Sequence, residues 1–271
     1  MSAPPAPCSS SGFDVPDFGP AAAGDGTPYR PDHSSVSLVI PAKNEAANLP
    51  WVLARIPSFV DEVLIVDGLS TDGTIEVAQQ LKSDIVVVHE ITPGKGAAVR
   101  AGFAAARGDI VVMLDADGSM DPAEIGRYVD AIENGADLAK GSRRIAGGGS
   151  ADLTVIRDLG NRGLLHAANA LFGTRFSELC YGYMAVRRSR IAELGLVSHG
   201  FEIETEIVTR AVRCGLEVVE VPSFEAPRRA GASNLSAIRD GLRIVRTLAQ
   251  VRLGPVRRPI ADPVGTPVSE H

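Results

Sequence analysis

The stretch "IVVMLDADGSMDP", residues 110–122, decides the fold. Five apolar residues run without interruption into Asp115 and Asp117, with Gly118 and Pro122 just beyond. An unbroken apolar run this short, bounded by turn residues, reads as a strand buried on both faces, as in parallel sheets. Residues two apart on extended backbone point to the same side, so the two carboxylates face one way. Like charges that close repel, so a compensating positive charge or water must reach them.

Upstream of this strand the same pattern repeats. "VSLVI" (36–40), "EVLIV" (62–66) and "DIVVVHE" (84–90) read as further strands, and "DIVVML" (109–114) is the fourth. Between them, Glu45 to Ile56, "TIEVAQQL" (74–81) and "GKGAAVRAGFAAARG" (94–108) carry helical spacing. Apolar strands separated by helices give a doubly wound α/β domain, with a mostly parallel sheet and helices on both faces. Ligands in such sheets bind at the carboxyl ends of the strands. "PAKNE" follows the first strand, "DGLSTDGT" the second and "DADG" the fourth, so polar residues gather at one rim.

The composition sets the surroundings. The chain has 271 residues, is 45% hydrophobic and carries a formal charge of -6. An acidic balance argues against nucleic acid as a partner, because that interaction depends on neutralising phosphates. Cys8, Cys180 and Cys214 are too scattered for a disulfide framework, which points to a reducing compartment. The start lacks a secretory pattern and no apolar run approaches the ~20 residues that span a bilayer, so a cytoplasmic location is expected. Residues 1–34, rich in Pro, Gly, Ala and Ser, read as a disordered tail, 35–254 as one domain and 255–271 as a flexible end.

Asp115 and Asp117 offer two hard oxygen donors, a set suited to Mg²⁺ or Mn²⁺ shared with substrate phosphates. The competing duty, capping the helix that starts at Pro122, falls to Asp121. Asp72, Gly73 and Thr74 read as a turn and helix cap, whereas Asp67 shares the rim with Asp115. Asn44 or Glu45 either begins a helix or lines that rim. "PGKGAAVRAG" lacks the Ser or Thr of a P-loop after Lys95, and its glycines let a helix N-terminus approach either an anion or another backbone.

Taken in order, "SLVIPAKNE", "VLIVDGLSTDGT", "GKGAAVRAGFAAARGDIVVMLDADGSMDP", "KGSR", "LGNRGLLHAANALFGTRFSELCYGYMAVRR", "GFEIETEI" and "RRAGASNL…RDGLRIVRTL" resemble a family 2 glycosyltransferase. The similarity spans about residues 35–250 and is strongest to dolichyl- or polyprenyl-phosphate hexose synthases. It implies a GT-A-type fold and inverting transfer of a hexose from a UDP- or GDP-sugar to polyprenyl phosphate or another acceptor. Pro41, Ala42 and Glu45 would line the nucleobase pocket, and Asp67 would contact the base. Asp115, Ala116 and Asp117 match the DXD motif, the first aspartate facing the nucleotide ribose and the metal and the second ligating the metal. Arg143 and Arg228 match basic residues near donor and acceptor phosphates, with Ser233 and Asn234 beside them. The family often reads Asp-Asp where this chain has Asp67-Gly68, a frequent aromatic where it has Lys43, and in some synthases Gln where it has Ser119. The resemblance leaves the base, the sugar and any homo-oligomer open.

The chemistry explains the residues. Cleaving a sugar–nucleoside diphosphate bond builds negative charge on the diphosphate, which a metal and fixed cations stabilise. A lipid phosphate acceptor is already anionic and is positioned by Arg143, Arg228 and Arg229. A hydroxyl acceptor, such as that of a secondary metabolite, needs a general base, for which "FEIETEI" offers Glu202 and Glu204; these can instead serve the macrodipole of a helix start. Tyr181 and Tyr183 either floor an acceptor site or pack in the core. Over 237–252, Arg239, Arg243 and Arg246 form one stripe and Ile238, Leu242, Val245 and Leu248 another. Such a helix either packs on the domain with its arginines in water or makes a peripheral contact with the inner face of a membrane. A nucleotidyltransferase would carry a Gly-rich, Arg-containing loop where "PAKNE" stands.

Overall fold

The structure, a computed structural model, describes residues 34–151, 155–231 and 236–255. The two expected tails fall almost wholly outside these residues, as do Ser233 and Asn234. Seven strands form one sheet: β1 (Val36–Ala42), β2 (Glu62–Asp67), β3 (Val86–His89), β4 (Ile110–Met113), β5 (Leu138–Ser142), β7 (Met184–Arg187) and β8 (Val218–Pro222). Two short strands, β6 (Gly149–Ser150) and β9 (Phe224–Glu225), pair separately. The sheet order is β3-β2-β1-β4-β7-β5-β8, and only β7 runs against its neighbours. A mostly parallel sheet, as the apolar runs imply, is the result.

Helices cover both faces. α1 (Leu49–Leu53), α2 (Thr74–Leu81) and α4 (Ile125–Glu133) pack with Leu38, Ile40, Ile65 and Val112 on one side. α3 (Lys95–Ala105), α6 (Arg188–Leu194) and α7 (Ile203–Arg213) pack with Val39, Leu64 and Met113 on the other. Alternate residues of one strand thus enter opposite cores, which is why the strands read as continuous apolar runs. Emptying such a site, as in Leu64→Ala, costs about 2–5 kcal/mol. α5 (Val155–Phe172) and α8 (Ala237–Leu253) form a third, smaller cluster through Leu165, Ala168, Ile244 and Leu248. Among the described residues no helix is long and apolar enough to cross a membrane.

Two expectations need correction. The helix expected over Glu45–Ile56 is only Leu49–Leu53. Pro50 has no N–H and is tolerated only in a first turn, and Asn44 sits at φ 58°, so the chain turns before it coils. The apolar stripe expected on the last helix is also divided. Leu248 is buried, but Leu242 and Val245 are exposed, and Ile244 and Val251 take the inward positions.

Strand order places the site. β2 and β3 lie outward from β1 on one side, and the chain then returns to lay β4 on the other. The reversal between β1 and β4 leaves a crevice outside their carboxyl ends. "PAKNE" and "DADG" flank it.

Candidate active site

The crevice is a cleft of about 550 Å³, bounded by Pro41, Ala42 and Glu45 after β1 and by Asp115, Ala116 and Asp117 after β4. Past the end of β4 the chain enters a turn at Ala116 and Asp117; Leu114 and Ala116 are buried, and the aspartates between and after them face the opening. Asp121 caps the following turn by accepting from Ala123 N, so the pair is free of that duty, as its spacing implies.

Each aspartate meets a cation. Lys95, the first residue of α3, places Nζ 2.6 Å from Asp115 Oδ1 and 2.6 Å from Glu204 Oε1. Burial by itself pushes the Lys95 pKa down, but the Asp115 and Glu204 carboxylates outweigh it and hold it above its ordinary value. On Glu204 burial wins: its pKa is raised although Lys95 pulls it down. Arg228 is the second cation. Its Nη1 lies 3.3 Å from Asp117 Oδ2, Nη2 bonds Glu45 Oε1, and Nε donates to Ala230 O at 2.9 Å. Burial raises the Glu45 pKa, against the pull of Asn48 and Arg228. The repulsion posed by two neighbouring carboxylates is therefore met by two arms, one from each half of the chain.

Local backbone makes this possible. Gly94 sits at φ 120°, and a Cβ there would collide with the His199 carbonyl oxygen. That carbonyl accepts from Gly96 N at 2.8 Å and Ala97 N at 3.3 Å, so the N-terminus of α3 meets another backbone rather than an anion. Gly182 leaves the space for the Lys95 cluster: a Cβ there would stand 2.7 Å from Lys95 Nζ and 2.9 Å from Glu204 Oε1.

The remaining expected residues divide. Arg143 lines the cleft, but its guanidinium is already held by Glu178, by Glu225 at 2.6 Å and by the Cys180 carbonyl at 3.3 Å. Burial opposes its charge, yet the two carboxylates raise its pKa, so it is a fixed wall of the site. Asp67 is buried and accepts from Ser70 N at 3.2 Å, closing its own turn, while Gly68 is the residue that reaches the cleft. Ser119 donates to Asp117 Oδ1 at 2.7 Å and so orients it. Glu202 lies off the cleft wall and accepts from Gly200 N at 3.0 Å. Tyr183 stacks on Tyr128 with ring centroids 4.2 Å apart in the core, whereas Tyr181 shows a face to the cleft and bonds Ser223 at 2.9 Å. Arg229 lies over the Trp51 ring at 4.5 Å.

Lys95 is the residue that motif reading passed over. Dismissing "PGKG" as a P-loop hid a simpler signal: the loop after β3 ends at the same rim as the loops after β1, β2 and β4.

Among the described residues no cluster of three or more His, Cys, Asp or Glu is arranged to hold a metal. A site with two carboxylates and no third protein ligand still fits Mg²⁺ or Mn²⁺, which take one or two carboxylates and complete their shell with phosphate oxygens and water.

A mostly parallel sheet with one reversed strand, and paired carboxylates at its switch point, defines a GT-A glycosyltransferase. The glycosyl transferase family 2 profile matches residues 37–195. The polyprenol monophosphomannose synthase of Mycolicibacterium smegmatis is 35% identical over 218 residues, covering 73% of this chain and 80% of that one. The undecaprenyl-phosphate mannosyltransferase of Micrococcus luteus is 33% identical over 213 residues, covering 74% and 87%. Among solved structures, glucosyl-3-phosphoglycerate synthase from Mycobacterium tuberculosis with Mn²⁺, UDP and glucosyl-3-phosphoglycerate superposes with a TM-score of 0.65. Its identity is 26%, covering 84% of this chain and 82% of that one. The chain belongs to glycosyl transferase family 2.

Proposed function

We propose that the protein transfers a hexose, with inversion, from a UDP- or GDP-linked donor to a polyprenyl phosphate. The observation that carries this reading is the convergence of Asp115, Asp117, Lys95 and Arg228 on one cleft at the switch point. The names of the mannosyltransferase relatives supply the acceptor class.

Pro41 and Ala42 form the wall on which the base rests, with Glu45 beside them. Asp115 and Asp117 would hold the divalent ion, which when bound offsets the charge that grows on the leaving diphosphate. Arg228 is placed to exchange Asp117 for a diphosphate oxygen, because a planar guanidinium matches that geometry. Lys95 stays protonated across the working pH range and fixes the Asp115 and Glu204 side chains around the sugar. An anionic phosphate acceptor needs no proton removed, so the chain's task is to align it on the far face of the anomeric carbon.

A second reading, transfer to a soluble hydroxyl, is favoured by one observation. Glu204 lines the cleft with a raised pKa, as suits a general base. The M. tuberculosis neighbour was solved with UDP-glucose and phosphoglyceric acid, a soluble acceptor. Single-turnover transfer to a short-chain polyprenyl phosphate, comparing wild type with Glu204→Gln, separates the two. Glycosyl phosphate formed by both proteins at similar rates supports the lipid reading. Rejection of the lipid by the wild type, with transfer to a hydroxyl lost in Glu204→Gln, supports the other.

A further inference from the structure

The segment after β9 runs across the turn that carries the two aspartates. Met120 pairs with Glu225 as an antiparallel bridge, Ala226 N donates to Ser119 O at 2.8 Å, and Arg229 N donates to Asp117 O at 3.2 Å. Two consecutive arginines then take different courses. Arg228 lines the cleft and holds Asp117 and Glu45. Arg229 instead lies over Trp51, its guanidinium carbon 4.5 Å from the ring centroid. Gly118 opens the path for it. This glycine sits at φ 73°, and a Cβ there would stand 2.6 Å from Arg229 Cδ and 3.4 Å from Trp51 Cε3.

Trp51 is itself fixed at both ends of its helix. Arg55, two residues past α1, lies 5.0 Å from the same ring and bonds Asp121 at 2.9 Å and 2.5 Å, which ties the ring to the far end of the carboxylate turn. Asn48, just before α1, donates to Ala230 O at 3.2 Å. An arginine on an exposed aromatic face is by itself an ordinary contact, worth a factor of about two to five. Its place in the chain gives this one a purpose. It anchors the residue next to Arg228, on a backbone already bonded to Asp117.

We infer that Trp51 and Arg229 are positioning residues, a clasp that holds segment 226–231 against the carboxylate turn and keeps Arg228 aimed into the cleft. A nucleoside diphosphate must draw the Arg228 guanidinium from Asp117 and Glu45. An arginine on a loose segment would lose backbone and side-chain freedom in that exchange, whereas one on a clasped segment has already lost most of it. Arg229 thus serves the phosphates through its neighbour rather than by touching them. The inference rests on the reading of the cleft as a nucleotide-sugar site for its purpose, but the clasp itself needs no ligand.

Trp51 is the only tryptophan of the chain, so its emission reports the clasp directly. In the ligand-free protein, acrylamide quenches Trp51 more steeply in Arg229→Ala than in the wild type, because the guanidinium no longer covers the ring. Binding of UDP and of GDP, each with Mn²⁺, is then measured by calorimetry. The nucleotide that the wild type binds is held about fivefold more weakly by Trp51→Leu and by Arg229→Ala. Trp51→Phe, which keeps an aromatic face, recovers most of that loss. Arg229 is exposed, so Arg229→Ala melts as the wild type does and carries the test even where Trp51→Leu melts low. In an Arg228→Ala background, either change costs less than about twofold more, since no guanidinium is left to aim. Unchanged quenching in Arg229→Ala overturns the inference. So does an equal loss with and without Arg228, which would make the clasp a support of the turn alone. Unchanged affinity in both clasp variants also overturns it and leaves the nucleotide-sugar reading standing. A wild type that binds neither nucleotide overturns that reading, and the purpose of the clasp with it.

Discussion

The rim after β1 and β4 and the region from α5 to α8 build the same cleft by opposite means. On the first side, functional groups sit just past strand ends, where burial of Leu114 and Ala116 leaves Asp115 and Asp117 on the open side. On the second, they are long side chains reaching across from helices and loops: Arg228 joins Glu45 across 183 residues of sequence, and Glu204 meets Lys95 of α3 across 109. Strand-end carboxylates are held by the sheet and suit an ion and a diphosphate of fixed shape. Reaching cations can exchange partners, which suits a site whose charge changes as the donor binds and departs.

This contrast can be broken by mutation, and the largest effect belongs to the rim. Asp117→Ala removes one of the two carboxylates that would hold the metal, and with it the offset of charge developing on the diphosphate, so kcat should fall at least about 100-fold, or ~3 kcal/mol. Its melting temperature should stay near that of the wild type, since Asp117 is not in the core. Steady-state kinetics beside a thermal melt check both.

Lys95→Met should act on stability as well as activity. It leaves Asp115 and Glu204 facing each other without a cation, at a cost on the order of 2 kcal/mol, toward the low end for a broken buried pair because Asp115 is partly exposed. Glu204 has a folded pKa above its unfolded one, so its contribution to stability is full below the unfolded value and is lost as pH rises through the folded value. The variant should therefore melt closer to the wild type at about pH 5 than at about pH 8. An equal deficit at both would remove Glu204 from the explanation.

Arg228→Lys keeps the charge and loses the fork that spans Glu45 and Asp117 and that, in the proposed transfer, would meet the diphosphate. About a tenfold fall in kcat/KM is expected, with Mn²⁺ affinity in the absence of nucleotide little changed. The smallest effect is that of Glu204→Gln under lipid acceptance: the neutral side chain should keep most of the rate, because no proton is taken from the acceptor. Under hydroxyl acceptance the wild type would instead lose activity as Glu204 gains its proton, above the usual carboxylate range, and the variant would be deeply impaired at every pH.

The same contrast explains what the sequence disclosed. Parallel strands and their rim were legible because burial on both faces writes an unbroken apolar run, and "DADG" ends such a run. Asp121 as a helix cap was equally local. For Arg143 the resemblance implies a place near the phosphates, but nothing near "KGSR" announces Glu178 and Glu225, which meet it only in the folded chain. Asp67 lies at the right rim yet spends its carboxylate on Ser70 N, a detail of turn geometry that strand patterning does not carry. α8 misled for a related reason. With apolar residues on two sides, periodicity picked out the stripe of Leu242 and Val245 but not that Ile244 and Val251 meet the core.

The central claim is that Asp115 and Asp117 form half of a metal site whose other half arrives with the nucleotide. Mn²⁺ titration followed by electron paramagnetic resonance, with and without UDP or GDP, tests it most directly. Weak binding to the protein alone, much tighter binding when the matching diphosphate is present, and loss of that gain in Asp117→Ala are the predicted results. Tight Mn²⁺ binding without nucleotide, or an undiminished gain in Asp117→Ala, would contradict the claim.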